Sequence, residues 1–329
     1  MHQDAFEQHF EPVWSELGDL LDQLERSRFR RKVDAESATA LPHLYRKVCN
    51  HYAIARSRRY SPALVAQLHH LVLRGHQQLY KRRGAWLWRL LAFIATDFPR
   101  SLRSHGNYFL LSLALFLLPA LIIGGYCASD QDFIYSVMSA DQVEAMEEMY
   151  ASDNARPGRT LERSSESNFV MFGFYIFNNI GIGFRTFAMG ILAGIGTVIT
   201  MLYNGMVIGG VAGHLSGIGY HETFWGFVSS HASLELTAII ICGAAGLSLG
   251  HGMLAPGQLR RIDSIRRRGR QALPLVMGAA LMLLGAAFIE AFWSASAVPN
   301  TVKYFLATML WLLVILYFVF AGRGAGGNR

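Results

Sequence analysis

Two carboxylates and an imidazole stand where an apolar chain has least use for them. His231 and Glu235 interrupt the apolar stretch Thr223–Leu249, and Glu290 interrupts Leu273–Phe292. Asn178, Asn179 and Asn204 lie within apolar runs as well. A charged carboxylate at bilayer depth costs about 2.5–3.5 kcal/mol on insertion scales, so such a group is expected to face a partner or water. His231 and Glu235 are four residues apart and share one helix face. Glu290 sits near the end of its own run, where the three could converge. Three chemistries fit them. One is a closed polar clamp, with Glu235 protonated or paired with His231 and bonded to asparagines. The second is a proton or ion relay. The third is a metal or general-base site, with Glu235 or Glu290 as base and His231 as ligand or acid. No second histidine occurs at metal spacing, so neither a metal nor another cofactor is expected. The clamp is the simplest of the three.

These residues need helices that cross a membrane. The chain has 329 residues, of which 52% are hydrophobic and 16% charged, well below the charged share of ordinary soluble domains. Its charges are sorted into blocks. Of 30 Lys and Arg, 17 precede Gly106 and six lie between Arg260 and Arg270, whereas residues 128–167 carry nine carboxylates. Six apolar spans separate these blocks: Asn107 to about Cys127, Phe169 to Phe184, Thr186 to about Ala212, Thr223 to Leu249, Leu273 to Phe292, and Val302 to Ala321. Arg185 divides the second from the third. The third and fourth exceed what a straight crossing needs, so tilt or a break is expected, with Asn204-Gly205 as the place for one. Alternating the spans puts most basic residues on one side, which is then the cytoplasm, with both termini there and the acidic loop outside. The protein is thus expected to be all-α, a multi-pass protein of the bacterial inner membrane with membrane lipids around it.

The front of the chain reads as a soluble bundle. Trp14, Leu17, Leu20, Leu21 and Leu24 recur at helical spacing, as do Leu44, Val48, Tyr52 and Ala55. Ser61-Pro62 is a helix start, and Leu64, Leu68, Leu71 and Val72 mark the buried side of a third helix. Lys81-Arg82-Arg83 then leads into Trp86, Leu87, Trp88, Leu90, Leu91, Phe93 and Ile94, which suits a helix in the membrane interface or a fourth bundle helix. The positive-inside rule accounts for these basic residues, so nucleic acid is not a partner. Residues 1–100 therefore form a cytoplasmic domain, 101–322 a membrane domain including the outer loop 128–167, and 323–329 a tail. In that loop, Ser139 to Gln142 reads as a capping box opening a short helix with Val143, Met146, Met149 and Tyr150 on one side. The three cysteines, Cys49, Cys127 and Cys242, offer no disulfide framework.

Glycines recur four apart: Gly190 and Gly194, Gly205 and Gly209, Gly213 and Gly217, Gly246 and Gly250. This spacing makes a groove for close helix packing, against a neighbour in the chain or in a second copy of it.

Asn178-Asn179, Tyr203-Asn204-Gly205, the segment Ser230 to Ala238 with its His231 and Glu235, and the run Gly243 to Gly250 together resemble the stage II sporulation protein M family. That family carries a histidine–glycine pair, a Glu-Leu-x-Ala segment and a Gly-Ala-Ala-Gly run. Ile289-Glu290-Ala-Phe292 looks like its second acidic motif, and the Trp14 helix with His76 and Tyr80 resembles its long bacterial members. Here Ser230 replaces a common proline and Ala232 a common glycine. The resemblance implies a membrane scaffold of an envelope-remodelling complex. It also implies a cytoplasmic partner such as an AAA ATPase of the MoxR type. A non-catalytic scaffold is the leading expectation, with a transporter or channel and a membrane-embedded hydrolase of lipid or peptidoglycan precursors as its rivals.

Overall fold

The structure is a computed structural model that describes residues 2–26, 35–79, 85–151 and 165–323. The Lys81-Arg82-Arg83 run, Tyr80, the later part of the acidic loop and the tail beyond Arg323 lie outside the described residues. Among the described residues every regular element is a helix, as the apolar periodicities require. The chain divides into two compact units, Met1–Leu90 and Leu91–Arg329.

The first unit contains α1 (Gln3–Arg26), α2 (Ala35–Ser57) and α3 (Pro62–Leu79). Each buries the stripe its spacing marks: Trp14, Leu17, Leu20 and Leu21 from α1, Leu44, Val48 and Ala55 from α2, and Leu64, Leu68 and Leu71 from α3. Ser61 precedes α3, and its Oγ accepts from the Leu64 amide at 3.4 Å and from Gln3 Nε2 at 2.8 Å. Within the core, Trp14 Nε1 donates to His51 Nδ1 at 3.0 Å. The short α4 (Ala85–Ala92) leaves Trp86, Leu87, Trp88 and Leu91 exposed.

The second unit begins with a π turn (Phe93–Asp97) and α5 (Phe98–Ser104) and continues as a bundle of long helices. These are α6 (Gly106–Ser129), α8 (Ser165–Ala188), α9 (Ile195–Gly217), α10 (His221–Leu254), α11 (Arg261–Phe288) and α12 (Asn300–Phe320), with the short α7 (Ala140–Tyr150) between α6 and α8. By length and composition α6, α9, α10, α11 and α12 are apolar enough to cross a membrane. The helix α8 has 24 residues, enough to cross, but Asn178, Asn179 and Arg185 dilute its apolar run. It still presents Phe169, Val170, Phe174, Phe177 and Phe184 as exposed apolar side chains, a lipid-type face.

Two expectations are corrected. Arg185 does not separate two spans, because α8 continues through it to Ala188. The reversal follows, in a 3-10 turn Met189–Ile191 and the left-handed residues Ala193 and Gly194, with φ of 53° and 80°. Nor is there a break at Asn204-Gly205, where α9 runs on without interruption. The apolar turn at 189–194 was unreadable as a turn because it carries no proline or polar residue. Its glycines Gly190 and Gly194 are buried against α10, where a Cβ on Gly190 would meet the Gly246 carbonyl at 2.2 Å, while Met189, Ile191 and Leu192 stay exposed.

The glycine groove finds its partner inside the chain. Gly205, Gly209, Gly213 and Gly217 of α9 lie on Phe116, Ala120, Gly124 and Ala128 of α6, one contact per turn. The long helix α10, 34 residues and about 50 Å, is the axis of the bundle and is mostly buried by its neighbours.

Candidate functional site

Helical spacing puts His231 and Glu235 on one face of α10, and both turn toward the end of α11. There the helix widens into a π turn, Ile289–Ser294, which holds both Glu290 and Ser294. Such one-turn widenings redirect side chains and recur at functional sites. One ligand-type atom from each of His231, Glu235 and Glu290 lies within 4.8 Å of the others.

The hydrogen bonds around the three are specific. His231 Nδ1 and Ser294 Oγ are 2.9 Å apart, while Nε2 faces Glu235 Oε2 at 3.8 Å, beyond hydrogen-bonding reach. Asn179 Nδ2 donates to Glu290 Oε2 at 3.3 Å, and Asn178 Nδ2 donates to Asn179 Oδ1 at 3.0 Å. The asparagines of α8 therefore hold one carboxylate, and Ser294 orients the imidazole. Asn204 is not among the residues that line the site: its Nδ2 is buried and unbonded on α9, one helical turn before Val207 and Ile208, which do line it.

His231, Glu235 and Glu290 do not close on one another. They line a cavity of about 190 Å³, whose walls are otherwise apolar and include Val207, Val211, Phe224 and Leu236. One wall comes from the loop helix. Tyr150, at the end of α7, lines the cavity, and Thr223 Oγ1 donates to its carbonyl at 2.6 Å. Burial, and then the neighbouring Glu290 carboxylate, hold the Tyr150 phenol protonated above its usual range. The Ser139–Gln142 capping box forms and starts α7 as expected. Val143, Met146 and Tyr150 then pack with Leu215, Phe224 and Phe227, and Glu147 pairs with buried His214 of α9 at 2.6 Å.

Four residues of this arrangement escaped sequence reasoning. Tyr150 reads from the sequence only as one of an amphipathic stripe. Ser294 is a common residue at a span end, and His214 sits without any motif. Lys303 reads as an ordinary flanking charge, yet it is buried, and its Nζ donates to the carbonyls of Ser294 at 2.8 Å and Ser296 at 3.0 Å. It thereby caps the end of the π turn and fixes Ser294 under the imidazole. A lone lysine just inside the start of an apolar span was the available signal.

The predicted glycines all serve packing. Gly190 and Gly246 meet backbone to backbone, Gly194 and Gly250 do the same, and Gly205 and Gly209 belong to the α6 contact. None lines the cavity.

Comparison with known families places the membrane unit. The model described as stage II sporulation protein M matches residues 112–295, which spans His231, Glu235 and Glu290. A model described as a domain of unknown function matches residues 4–81, the helical bundle at the front of the chain. No curated protein and no solved structure matches the chain.

Proposed function

The chain belongs to the stage II sporulation protein M family, and from that premise we propose that it is a membrane-embedded enzyme of hydrolase type. Its pocket receives the reactive head of a lipid-linked substrate. The observation that carries this is the convergence of His231, Glu235 and Glu290 on a cavity instead of on each other. A closed clamp would leave no space beside its polar groups, and two carboxylates are costly to keep in an apolar bundle for packing alone. Apolar walls with a few convergent polar groups are what an amphiphile's site requires. In that site one carboxylate removes a proton from water as the water oxygen adds to an acyl or phosphoryl centre. The same carboxyl group then gives that proton to the departing oxygen as its bond to the centre breaks.

The same reading places the pocket in the outer half of the inner membrane. Arg100 and Arg103 of α5 and the basic segment between α10 and α11 lie at one end of the bundle, and the pocket lies at the end that carries α7. Reconstituting the full chain with envelope lipids and lipid-linked precursors tests the proposal. Mass spectrometry is expected to find a cleaved lipid with wild type and at least a 100-fold smaller yield with Glu235→Gln or Glu290→Gln. Equal yields in all three, or no product from any lipid class, would overturn the hydrolytic reading.

A second reading, the scaffold, is favoured by one observation: the first unit has its own complete core. Such a bundle suits docking of a cytoplasmic protein, for which a MoxR-type AAA ATPase is the proposed partner. Co-purification of that ATPase with the full chain, lost on deleting residues 1–90, is the expected result.

A further inference from the structure

We propose that His231, Glu235 and Glu290 bind one divalent transition-metal ion, of the zinc or manganese class, with an open coordination position facing the cavity. The inference deepens the reading of this cavity as a reactive site and rests on it.

Three observations carry the assignment. The first is distance. With ligand atoms mutually within 4.8 Å, and metal bonds of about 2.0–2.2 Å, each atom has to move on the order of 1 Å to close on a common ion. Rotation of the two glutamate side chains supplies that, with no movement of helices.

The second is the orientation of the imidazole. In the tautomer that donates Nδ1–H to Ser294 Oγ, Nε2 presents its lone pair toward Glu235 and the cavity. A metal-binding histidine is held this way, with its far nitrogen bonded to an outer group that fixes ring and tautomer. The outer groups here are built as a set. Ser294 is buried, Lys303 pins its carbonyl, and Asn179 does for Glu290 what Ser294 does for His231.

The third is charge. The residues lining the cavity include two carboxylates and no Lys or Arg. Two ionised carboxylates and a neutral imidazole make a net charge that an apolar enclosure opposes, and one divalent ion cancels it. One nitrogen and two oxygens form a mixed donor set suited to zinc, manganese or ferrous iron rather than to copper(I), which favours sulfur. Three protein ligands with space beside them match a reactive metal site, because a structural one is closed by a fourth side chain.

The experiment uses the full chain purified in detergent without chelators, with zinc, manganese and iron quantified by mass spectrometry. About one ion per chain is expected in wild type, falling at least tenfold in His231→Gln and Glu290→Gln. Asn204→Ala, outside the residues that line the cavity, is expected to keep the ion. Adding zinc or manganese to chelator-stripped wild type is expected to raise its melting temperature and leave the two variants unmoved, so a folding defect is told apart from loss of the site. No bound ion together with no thermal shift in wild type overturns the metal. Labelling by a photoactivatable phospholipid analogue, competed by excess lipid and reduced by Val211→Trp, separates the two readings. If labelling persists without metal, the pocket stands and the metal falls; if both are missing, the pocket reading falls as well.

Discussion

At the scale of single residues, histidines in this protein are held by whichever nitrogen their neighbour uses. His51 accepts the Trp14 indole N–H at Nδ1, so its proton sits on Nε2 and the ring is neutral. Burial, with Lys47 and His9 adding to it, lowers its pKa below the ordinary value near 6.5. The unfolded chain then takes up the proton first as pH falls. The contribution to stability is complete above about 6.5 and is lost as pH drops toward the folded value. The urea midpoint of the 1–90 unit is therefore expected to fall between pH 7.5 and pH 5. In His51→Leu that fall is expected to be shallower, and equal slopes for the two would remove His51 as its source. The membrane site divides in the same residue-level way between what could be read and what could not. His231, Glu235 and Glu290 were legible because ionisable groups are rare in apolar runs. Ser294, Lys303 and Tyr150 were not, because their roles depend on a backbone carbonyl, a π turn and a loop helix folded over the bundle. Asn204 shares their polarity and the helix face of Val207 and Ile208, yet it sits one turn outside the cavity, and polarity alone does not give depth along a helix.

At the scale of elements, the contact between α6 and α9 rests on removed side chains. A Cβ at Gly209 would stand 2.1 Å from the Ala120 carbonyl oxygen, and one at Gly213 would stand 2.0 Å from that of Gly124. These neighbours are backbone atoms inside helices, so they cannot yield as a side-chain tip would. Gly209→Val is thus expected to separate the helices and to cost several kcal/mol, on the order of the larger overpacking penalties. A Cβ at Gly181 on α8 would meet nothing within 4 Å, so Gly181→Val is expected to be tolerated. Melting of the purified proteins, followed by tryptophan fluorescence, compares them; equal melting points would mean the groove does not hold the bundle. The four-residue period made the groove legible, and the structure added the partner. The reversal at 189–194 stayed hidden for the opposite reason. It is apolar, and its chain direction is set by glycines packed on α10, a tertiary contact that no local signal announces.

At the scale of the whole membrane unit, hydrogen bonds at its two ends bear on how many times it crosses. Arg103 of α5 donates to the carbonyls of Phe318 at 2.8 Å and Ala321 at 2.7 Å, and Arg100 donates to that of Gly322 at 2.8 Å. These carbonyls end α12, and α5 stands directly before α6. The start of the first long helix and the end of the last thus lie at one end of the bundle, capped by two positive charges that favour a helix C-terminus. An even number of crossings has this property and an odd number does not. Counting α8 as a crossing makes six, although its asparagines and Arg185 weaken it on apolarity alone. Asn179 bonds Glu290 and Asn178 bonds Asn179, so the feature that obscures α8 as a span is the one that gives it a part in the site. If α8 crosses, single cysteines placed at Glu148 of α7 and at Arg323 are expected to differ in intact spheroplasts, in a chain whose own three cysteines have been replaced. An impermeant maleimide should label the Glu148→Cys protein only, and the Arg323→Cys protein only after the membrane is opened. Labelling of both from outside would leave an odd number of crossings, and would remove the support that alternation gives to a pocket in the outer half of the bilayer.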